Sequence, residues 1–227
     1  YAYTAAWQPS FKDGWHGWWR IGNAKFPQGA AIHCVSRSAD KLDIFATDVN
    51  GKILTAAWEP SFKDGWHGWW QIKGGQAAPG ATVTAISRSA NKLDIFVVGL
   101  DGRVWTAAWQ PTFTDWWHGW WPIGSAKFPQ GAAIHCVSRN ANKLDIFGTD
   151  NGGKILTAAW EPSFTDGWRG WWHIKGGMAA AGAPVTAVSR STDKLDIFVT
   201  GLDGRAYTAA WEPAFTDWWH GWWPLGF

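Results

Sequence analysis

Short stretches of apolar residues, partly alternating with polar ones, follow one another along the chain and are separated by Gly-, Asn-, Asp- or Pro-containing turns. In one series, "AAIHCVSR", "KLDIFATD", "KILTAAW" and "WWQI" occupy residues 30–37, 41–48, 52–58 and 69–72. These segments are rich in β-branched and aromatic residues, and no segment of helical length has a 3.6-residue period. The pattern predicts short antiparallel strands joined by hairpin turns, with four strands to a unit.

The unit repeats without insertion or deletion. The motif "TAAW" ends at Trp7, Trp58, Trp109, Trp160 and Trp211, a constant step of 51 residues. A gap-free repeat of this length with four strands is typical of a β-propeller blade. We therefore expect an all-β fold with one β-propeller domain over residues 1–227. It would comprise a half blade (1–22) and four blades (23–73, 74–124, 125–175 and 176–227).

Blades of two types alternate, since "AKFPQGAAIHCVSR" begins at Ala24 and again at Ala126. The half blade supplies only the last two strands of a unit, whereas the chain ends on a complete last strand, "WWPLGF". Three arrangements stay open: an incompletely filled ring, an arc that closes with a second chain, or a fragment of a larger ring. We favour closure through a homo-oligomer, because exposed blade faces and strand edges favour pairing.

Charge and composition exclude several function classes. The formal net charge is +2 and no Lys/Arg run exceeds two residues, so a basic patch for nucleic acid or an anionic membrane is not expected. No apolar run has the length of a membrane span, and we expect a soluble protein without membrane insertion. The chain starts at Tyr1 rather than Met, and the sequence does not indicate a compartment.

Metal binding is not expected. The dipeptide His33-Cys34 recurs only as His135-Cys136, and adjacent residues of a strand point to opposite faces, which makes a poor chelate. Two cysteines do not make a disulfide framework, and we interpret both as buried small residues. No metal and no cofactor is predicted.

Catalysis is not expected either. Glycoside hydrolysis needs two carboxyl groups in different environments. Here each candidate acid, such as Glu59 or Asp64, has equivalents in nearly every unit, and these copies share one environment. We therefore predict no enzyme and no catalytic residue.

Two repeated features have structural interpretations. Asp43 and its copies lie inside the strand "KLDIF", where an acidic residue is disfavoured unless paired, so we predict an ion pair or hydrogen bond with the Ser-Arg strand. The Trp doublets, such as Trp69-Trp70, lie in the last strand. We expect one ring to pack into its own blade and the other against the adjacent blade or the rim.

The loop before each doublet is the candidate binding site. It places Asp, Trp and His or Arg in a Pro- and Gly-marked connection, as in "DGWHG", and a Trp beside polar groups can stack on a sugar while they bind its hydroxyls. A packing role, with Trp66 filling the bottom of the blade and Asp64 capping the turn, weighs about equally. The predicted sugar-binding residues are Asp13, Trp15, His16, Asp64, Trp66, His67, Asp115, Trp117, His118, Asp166, Trp168, Arg169, Asp217, Trp219 and His220.

The segments "VTAISRSANKLDIFVVGLDGRVWTAAW" (83–109) and "GWHGWW" (65–70) resemble the bacterial β-propeller lectins typified by the Photorhabdus luminescens lectin. The resemblance covers essentially the whole chain. It implies a seven-bladed propeller that binds L-fucose and O-methylated sugars in shallow sites between neighbouring blades, whereas this chain has four and a half blades.

The leading hypothesis is thus a multivalent lectin whose partners are glycans, with fucose or methylated sugars expected. Two alternatives stay open at this point. One is a structural or engineered repeat protein whose tryptophans only pack, and the other is a protein–protein interaction propeller.

Overall fold

The computed structural model describes residues 1–63, 65–165 and 167–226, and two predicted sugar-binding residues, Asp64 and Asp166, lie outside this part. All the regular secondary structure in the described residues is β-strand, so the prediction of an all-β chain is confirmed. A membrane-spanning helix is not found among these residues.

The strands form a two-stranded sheet and four four-stranded sheets, each antiparallel and in chain order. The half sheet comprises β1 (Ala2–Trp7) and β2 (Trp15–Ile21). Sheet 1 comprises β3 (His33–Ser38), β4 (Lys41–Thr47), β5 (Lys52–Trp58) and β6 (Trp66–Gln76). Sheet 2 comprises β7 (Thr84–Ser89), β8 (Lys92–Val98), β9 (Val104–Trp109) and β10 (Trp117–Pro122). Sheet 3 comprises β11 (His135–Asn140), β12 (Lys143–Thr149), β13 (Lys154–Trp160) and β14 (Trp168–Met178). Sheet 4 comprises β15 (Thr186–Ser191), β16 (Lys194–Thr200), β17 (Ala206–Trp211) and β18 (Trp219–Pro224).

These four-stranded sheets repeat with the 51-residue step, as the sequence predicts. The predicted boundaries at 73 and 175 fall inside β6 and β14, which continue to Gln76 and Met178. This extension occurs at alternate sheets only, because β10 and β18 end at Pro122 and Pro224. A proline has no N–H with which to continue the ladder.

The hydrophobic core lies between neighbouring sheets. Phe45 and Ile72 of sheet 1 pack with Leu93, Ile95 and Ala107 of sheet 2 in one buried cluster. First strands of successive sheets contact each other, β3 with β7, β7 with β11 and β11 with β15. Because a covered sheet is buried on both faces, its middle strands contain runs of consecutive buried apolar residues, as in "IFVV" (95–98) of β8.

A β-bulge in the last strand of each sheet determines where the tryptophans point. In sheet 1, Thr55 pairs with Trp70 and Ala56 pairs with Gly68, which leaves Trp69 as the extra residue. Gly68 is required here, because its φ is 122° and a Cβ on it would lie 2.8 Å from the Cα of Ala56. The bulge therefore allows Trp66 and Trp69 to face the same way, and both pack on the cluster that contains Ile21.

The two rings of each doublet consequently have different environments. In the four-stranded sheets the first ring lies against the preceding sheet and donates its indole N–H to a backbone carbonyl there; Trp69 Nε1 lies 3.0 Å from the oxygen of Ile21. The second ring stays outside, and Trp70 is 49% exposed. The expectation that one ring packs on the adjacent sheet is confirmed. The expectation that the other ring packs into its own sheet is wrong, because this ring is exposed. The bulge shifts the period-2 alternation on which that expectation depends.

The predicted pairing of the strand aspartates is confirmed. Arg88 Nε donates to Asp94 Oδ2 over 2.5 Å, and its Nη2 donates to Asp94 Oδ1 over 3.2 Å. The same guanidinium donates to the carbonyl of Ala141 in the next sheet and lies 4.6 Å from the centre of the Trp160 ring. Burial raises the pKa of Asp94, and Arg88 opposes this rise. The pair thus joins two sheets as well as two strands.

The faces at the two ends of the sheet stack are uncovered. Trp18, the first ring of the half sheet, is 76% exposed, whereas its equivalents in the other sheets are partly buried. At the other end Leu225 is 48% exposed, whereas the equivalent Ile72 is 1% exposed. Cys34 is also exposed, while Cys136 is buried. The interpretation of both cysteines as buried is thus wrong for Cys34, because the half sheet has no strand to cover β3.

Candidate functional site

The loop tryptophans begin the last strand of each sheet and face the preceding sheet. Trp117 packs edge-on against Phe45, with ring centres 5.8 Å apart, and Trp168 packs in the same way against Phe96 at 5.5 Å. Trp219 repeats the contact on Phe147, and Trp66 contacts the half sheet. Trp15 has no preceding sheet and is largely exposed.

The loop histidines point to the opposite, exposed face. The ring of His67 stacks on Phe62 at 4.4 Å and lies 6.3 Å from Trp70, the outer ring of the doublet. In sheet 3 Arg169 takes the histidine position and lies 4.6 Å above the ring of Phe164. The structure therefore separates the Trp and the His or Arg of each predicted set, and joins the His instead to a Phe and the outer Trp. His16, His118 and His220 have the same neighbours in their own sheets.

The described loop aspartates Asp13, Asp115 and Asp217 are exposed at the turn. Their main-chain oxygens accept hydrogen bonds from the loop tryptophans, as in the 2.7 Å bond from Trp117 N to the Asp115 oxygen. In sheets 2 and 4 the loop glycine is replaced by an additional tryptophan. Trp116 stacks on Trp109 with ring centres 6.1 Å apart, and Trp218 stacks on Trp211 at 6.0 Å.

Two cavities lie between sheets, at the opposite end of the strands from these loops. The first, of about 260 Å³, lies between sheets 1 and 2. Gly74 and Gly75 of β6 form one side, Trp105 and Trp120 of sheet 2 form aromatic walls, and Asp101 of the β8–β9 turn contributes a carboxylate. Gly75 is necessary for this arrangement, because a Cβ on it would lie 2.4 Å from the ring of Trp120.

The second cavity, of about 330 Å³, lies between sheets 3 and 4 and has the same plan. Gly176 and Gly177 form one side, Tyr207 and Trp222 form the walls, and Asp203 supplies the carboxylate. Both volumes are near the lower end of small-ligand pockets, which is ~300–1,000 Å³. The cavities therefore suit a ligand the size of a single sugar ring.

The carboxylate of the first cavity is ionised and held in place. Asp101 Oδ1 accepts hydrogen bonds from Trp105 Nε1 and from the backbone N–H of Arg103, both over 3.0 Å, and Oδ2 accepts one from Arg103 Nε over 2.5 Å. Slight burial raises the pKa of Asp101, but these hydrogen bonds outweigh burial and lower the pKa to about 2. In the second cavity the hydroxyl of Tyr207 donates to Asp203 over 2.8 Å, and hydrogen bonds from Arg205 and Tyr207 lower the pKa of Asp203.

Reasoning from sequence did not assign these cavities. Their signals are the alternating "IKGG" motif, at Ile72 and Ile174, and the turn "GLDG" that follows each of them. The turns join the two strands of a hairpin, as the sequence predicts, but the cavity exists only because a turn of one sheet and an "IKGG" segment of the preceding sheet face each other. Within the described residues, no cluster of three His, Cys, Asp or Glu side chains is arranged to hold a metal ion.

The architecture is similar to that of solved lectin structures. No protein-family model matches the chain, and no curated protein is significantly similar to it in sequence. Among solved structures, the BP39L lectin from Burkholderia pseudomallei superposes with a TM-score of 0.80 at 25% identity, over 93% of this chain and 60% of that lectin. The fold is that of the β-propeller lectins.

Two further lectins superpose on this chain, and the descriptions of both refer to fucose. SapL1 lectin, in complex with α-methyl fucoside, superposes with a TM-score of 0.65 at 17% identity, over 90% of this chain and 64% of SapL1. The fungal lectin of Aleuria aurantia is described as a six-bladed β-propeller with a novel fucose recognition mode. It superposes with a TM-score of 0.61 at 15% identity, over 90% of this chain and 65% of that lectin. The chain thus spans less than two thirds of each of these lectins.

Proposed function

We propose that this chain is a multivalent, non-enzymatic lectin that binds fucose or O-methylated sugars in sites between neighbouring sheets. The observation that carries the proposal is the pair of aromatic-walled cavities, each with a carboxylate, in a fold shared with lectins. The lectins of known structure support fucose in particular, since SapL1 was solved with α-methyl fucoside. Glycans are the partners that this proposal implies.

The chemistry of the first cavity suits a deoxy or methylated sugar. The indole faces of Trp105 and Trp120 offer apolar contact to ring C–H groups and to a methyl substituent. An ionised carboxylate has about four lone-pair positions, and three of those on Asp101 accept hydrogen bonds from protein groups. The remaining position can accept one hydroxyl of the sugar, which fixes its orientation.

Each single site is small and open to solvent, so we expect weak binding of a free monosaccharide. Two sites on one rigid scaffold raise the effective affinity for a surface with many glycans, by ~10²–10⁴ where both sites engage together. This avidity is the functional advantage that a repeated blade offers.

The loop residues remain candidates for an additional contact. His67 and Trp70 form an exposed aromatic surface with Phe62, and equivalent surfaces recur on the other sheets. The packed Trp66 and its copies support a structural role for that member of the predicted set. Replacing His67 by Ala tests the loop contact separately from the cavities.

We further propose that copies of the chain associate through the uncovered end faces. In the interior, Arg139 of sheet 3 lies 4.7 Å above the Trp211 ring of sheet 4. At the end of the stack the equivalent Arg190 has a half-exposed side chain, and Trp7, at the position of Trp211 in the half sheet, is exposed as well. These two groups have complementary chemistry. Light scattering that gives only the 25.1 kDa mass of one chain, across the accessible concentration range, would refute association.

A glycan array tests the main proposal, followed by titration with free L-fucose and with O-methylated sugars. We expect binding to fucosylated or methylated glycans that free sugar competes away. A folded sample that binds no glycan on the array would overturn the lectin proposal. Capture of a protein that persists in excess free sugar would instead favour a protein–protein interaction propeller.

A further inference from the structure

The interfaces between successive sheets are of two kinds. The sheet 1–sheet 2 and sheet 3–sheet 4 interfaces contain the two cavities, and we name them the open interfaces. The half sheet–sheet 1 and sheet 2–sheet 3 interfaces have an aromatic side chain at the corresponding place, and we name them the filled interfaces. The difference bears directly on how many sugars one chain can bind.

A phenylalanine occupies each filled interface. Phe128 is fully buried, and its ring lies 4.9 Å from the ring of Trp171 at an interplanar angle of 61°. A Cβ added to Gly148 would lie 2.9 Å from Cε1 of Phe128, so this ring needs a small residue beside it. Phe26 repeats the arrangement on Trp69, also at 4.9 Å.

The 51-residue step shows what replaces this phenylalanine in the open interfaces. The open interface has Ala77 at the position of Phe128, and it has Val97 at the position of Gly148. The large residue of the filled interface is thus replaced by a small one, and its small neighbour is replaced by a larger, β-branched one. Trp171 corresponds to Trp120. The equivalent positions in the other pair of interfaces are Phe26 and Ala46 in the filled one, and Ala179 and Val199 in the open one.

Val97 and Trp120 line the first cavity, and they stand at the positions of the residues that enclose Phe128. The phenylalanine ring therefore fills the volume that is empty in the open interface. A third position changes with these two. It is Trp105 or Tyr207 in the open interfaces and Leu54 or Leu156 in the filled ones, so in these four interfaces the aromatic wall accompanies the cavity.

We infer that only the open interfaces bind sugar, two per chain, and that Phe26 and Phe128 occupy the ligand position in the other two. This inference rests on the proposed lectin function. The filled interfaces also indicate the shape of the ligand. A six-membered ring already lies edge-on against the first tryptophan of the doublet there, so the cavity beside Trp120 has room for a pyranose ring of similar size.

The two open sites differ in rigidity, so they bind with different affinities. In the first, Lys127 Nζ donates to the carbonyl of Asp101, and Gln130 Nε2 donates to that of Leu100 over 2.8 Å; both donors lie in the connection from β10 to β11. Among the described residues no side chain donates to the carbonyl of Leu202 or Asp203, and Leu202 is 70% exposed, compared with 49% for Leu100. A preformed site loses less conformational entropy on binding, and the first site is therefore the tighter one.

Isothermal titration calorimetry with α-methyl-L-fucoside tests the inference. The wild-type chain should bind two molecules in two classes of site. The double variant A77F/V97A copies the Phe26/Ala46 pair of a filled interface, and it should lose the tighter class and keep one site. Adding A179F/V199A should remove the remaining site. The variants are checked for wild-type far-UV circular dichroism, because they keep Trp105 and Tyr207 where the filled interfaces have leucine.

A second variant decides the matter if the filled variants do not fold. W105L/Y207L introduces the leucine of the filled interfaces, leaves the phenylalanine positions unchanged, and should lower both affinities at least tenfold. More than two sites in the wild type, undiminished binding by the folded quadruple variant, or unchanged affinity in W105L/Y207L would each overturn the inference. A folded wild-type chain that binds no glycan at all would instead overturn the lectin function itself.

Discussion

Trp171→Ala should strongly destabilise the protein, whereas Trp172→Ala, the adjacent change, should not. The Trp171 ring lies between sheets 2 and 3, packs on Phe128 and donates its N–H to the carbonyl of Ile123 over 2.9 Å. Loss of such a ring costs ~3–5 kcal/mol in free energy of unfolding, of which the hydrogen bond accounts for ~1 kcal/mol. Trp172 is 49% exposed, so about half of the transfer term is absent, and we expect a loss of ~1–2 kcal/mol.

The half sheet supplies a control for the sequence context. Trp18 has the same neighbours in sequence as the other first rings but no preceding sheet, and Trp18→Ala should cost less than ~0.5 kcal/mol in the monomer. Urea unfolding followed by far-UV circular dichroism measures all three variants. Because stacked repeats can unfold in stages, the comparison uses the midpoint together with the slope of each transition.

Equal losses for Trp171→Ala and Trp172→Ala would refute the assignment of the first ring to the interface between sheets. A large loss for Trp18→Ala that grows with protein concentration would show instead that a second copy covers this ring, as the association proposal requires. The same variant in a sample that stays monomeric must remain close to wild type.

Three other perturbations test separate parts of the structure. Gly75→Ala places a methyl group 2.4 Å from the indole ring of Trp120, so this ring must move, and calorimetry should show loss of the tighter sugar site with the second site intact; two unchanged sites would contradict the geometry. Burial lowers the pKa of His33 and His135, so the unfolded state binds more protons and the free energy of unfolding should fall as the pH drops below about 6.5. Replacing both histidines by threonine, the residue at these positions in the other sheets, should flatten that dependence in unfolding curves between pH 8 and 5. Arg139→Met leaves the buried carboxylate of Asp145 unpaired and should lower the free energy of unfolding by ~3–5 kcal/mol. Arg190→Met, at a half-exposed copy, should lower it by well under half of that in chemical unfolding. Equal losses would refute the role of this arginine in joining neighbouring sheets.

Much of the fold was predictable because it repeats at short range. Hairpin turns, β-branched strands and a constant step of 51 residues suffice to predict four-stranded antiparallel sheets. The ion pair between Arg88 and Asp94 was predictable for a similar reason, since an acidic residue inside a strand needs a partner on a neighbouring strand.

The candidate site was less predictable. The proposal that a loop Trp and the adjacent His bind one sugar requires that both side chains converge, but neighbours in a strand diverge, as Trp66 and His67 do. The bulge at Trp69 then pairs His67 with Trp70 across the interruption. A bulge depends on hydrogen bonds to the partner strand, which an alternation of residue types within one strand does not reveal.

By itself, the sequence determined the repeat, the strand order within each sheet and the alternation of two blade types, because these depend on residues close together in the chain. Only the tertiary structure decided which tryptophans are buried, where the cavities lie and which interfaces are filled. Each of these depends on two sheets facing each other. Phe128 and Ala77 occupy equivalent places in the repeat, and their effects become visible only when Trp171 or Trp120 stands opposite. The physical reason is that a cavity belongs to the space between two surfaces, and its size depends on side chains from both.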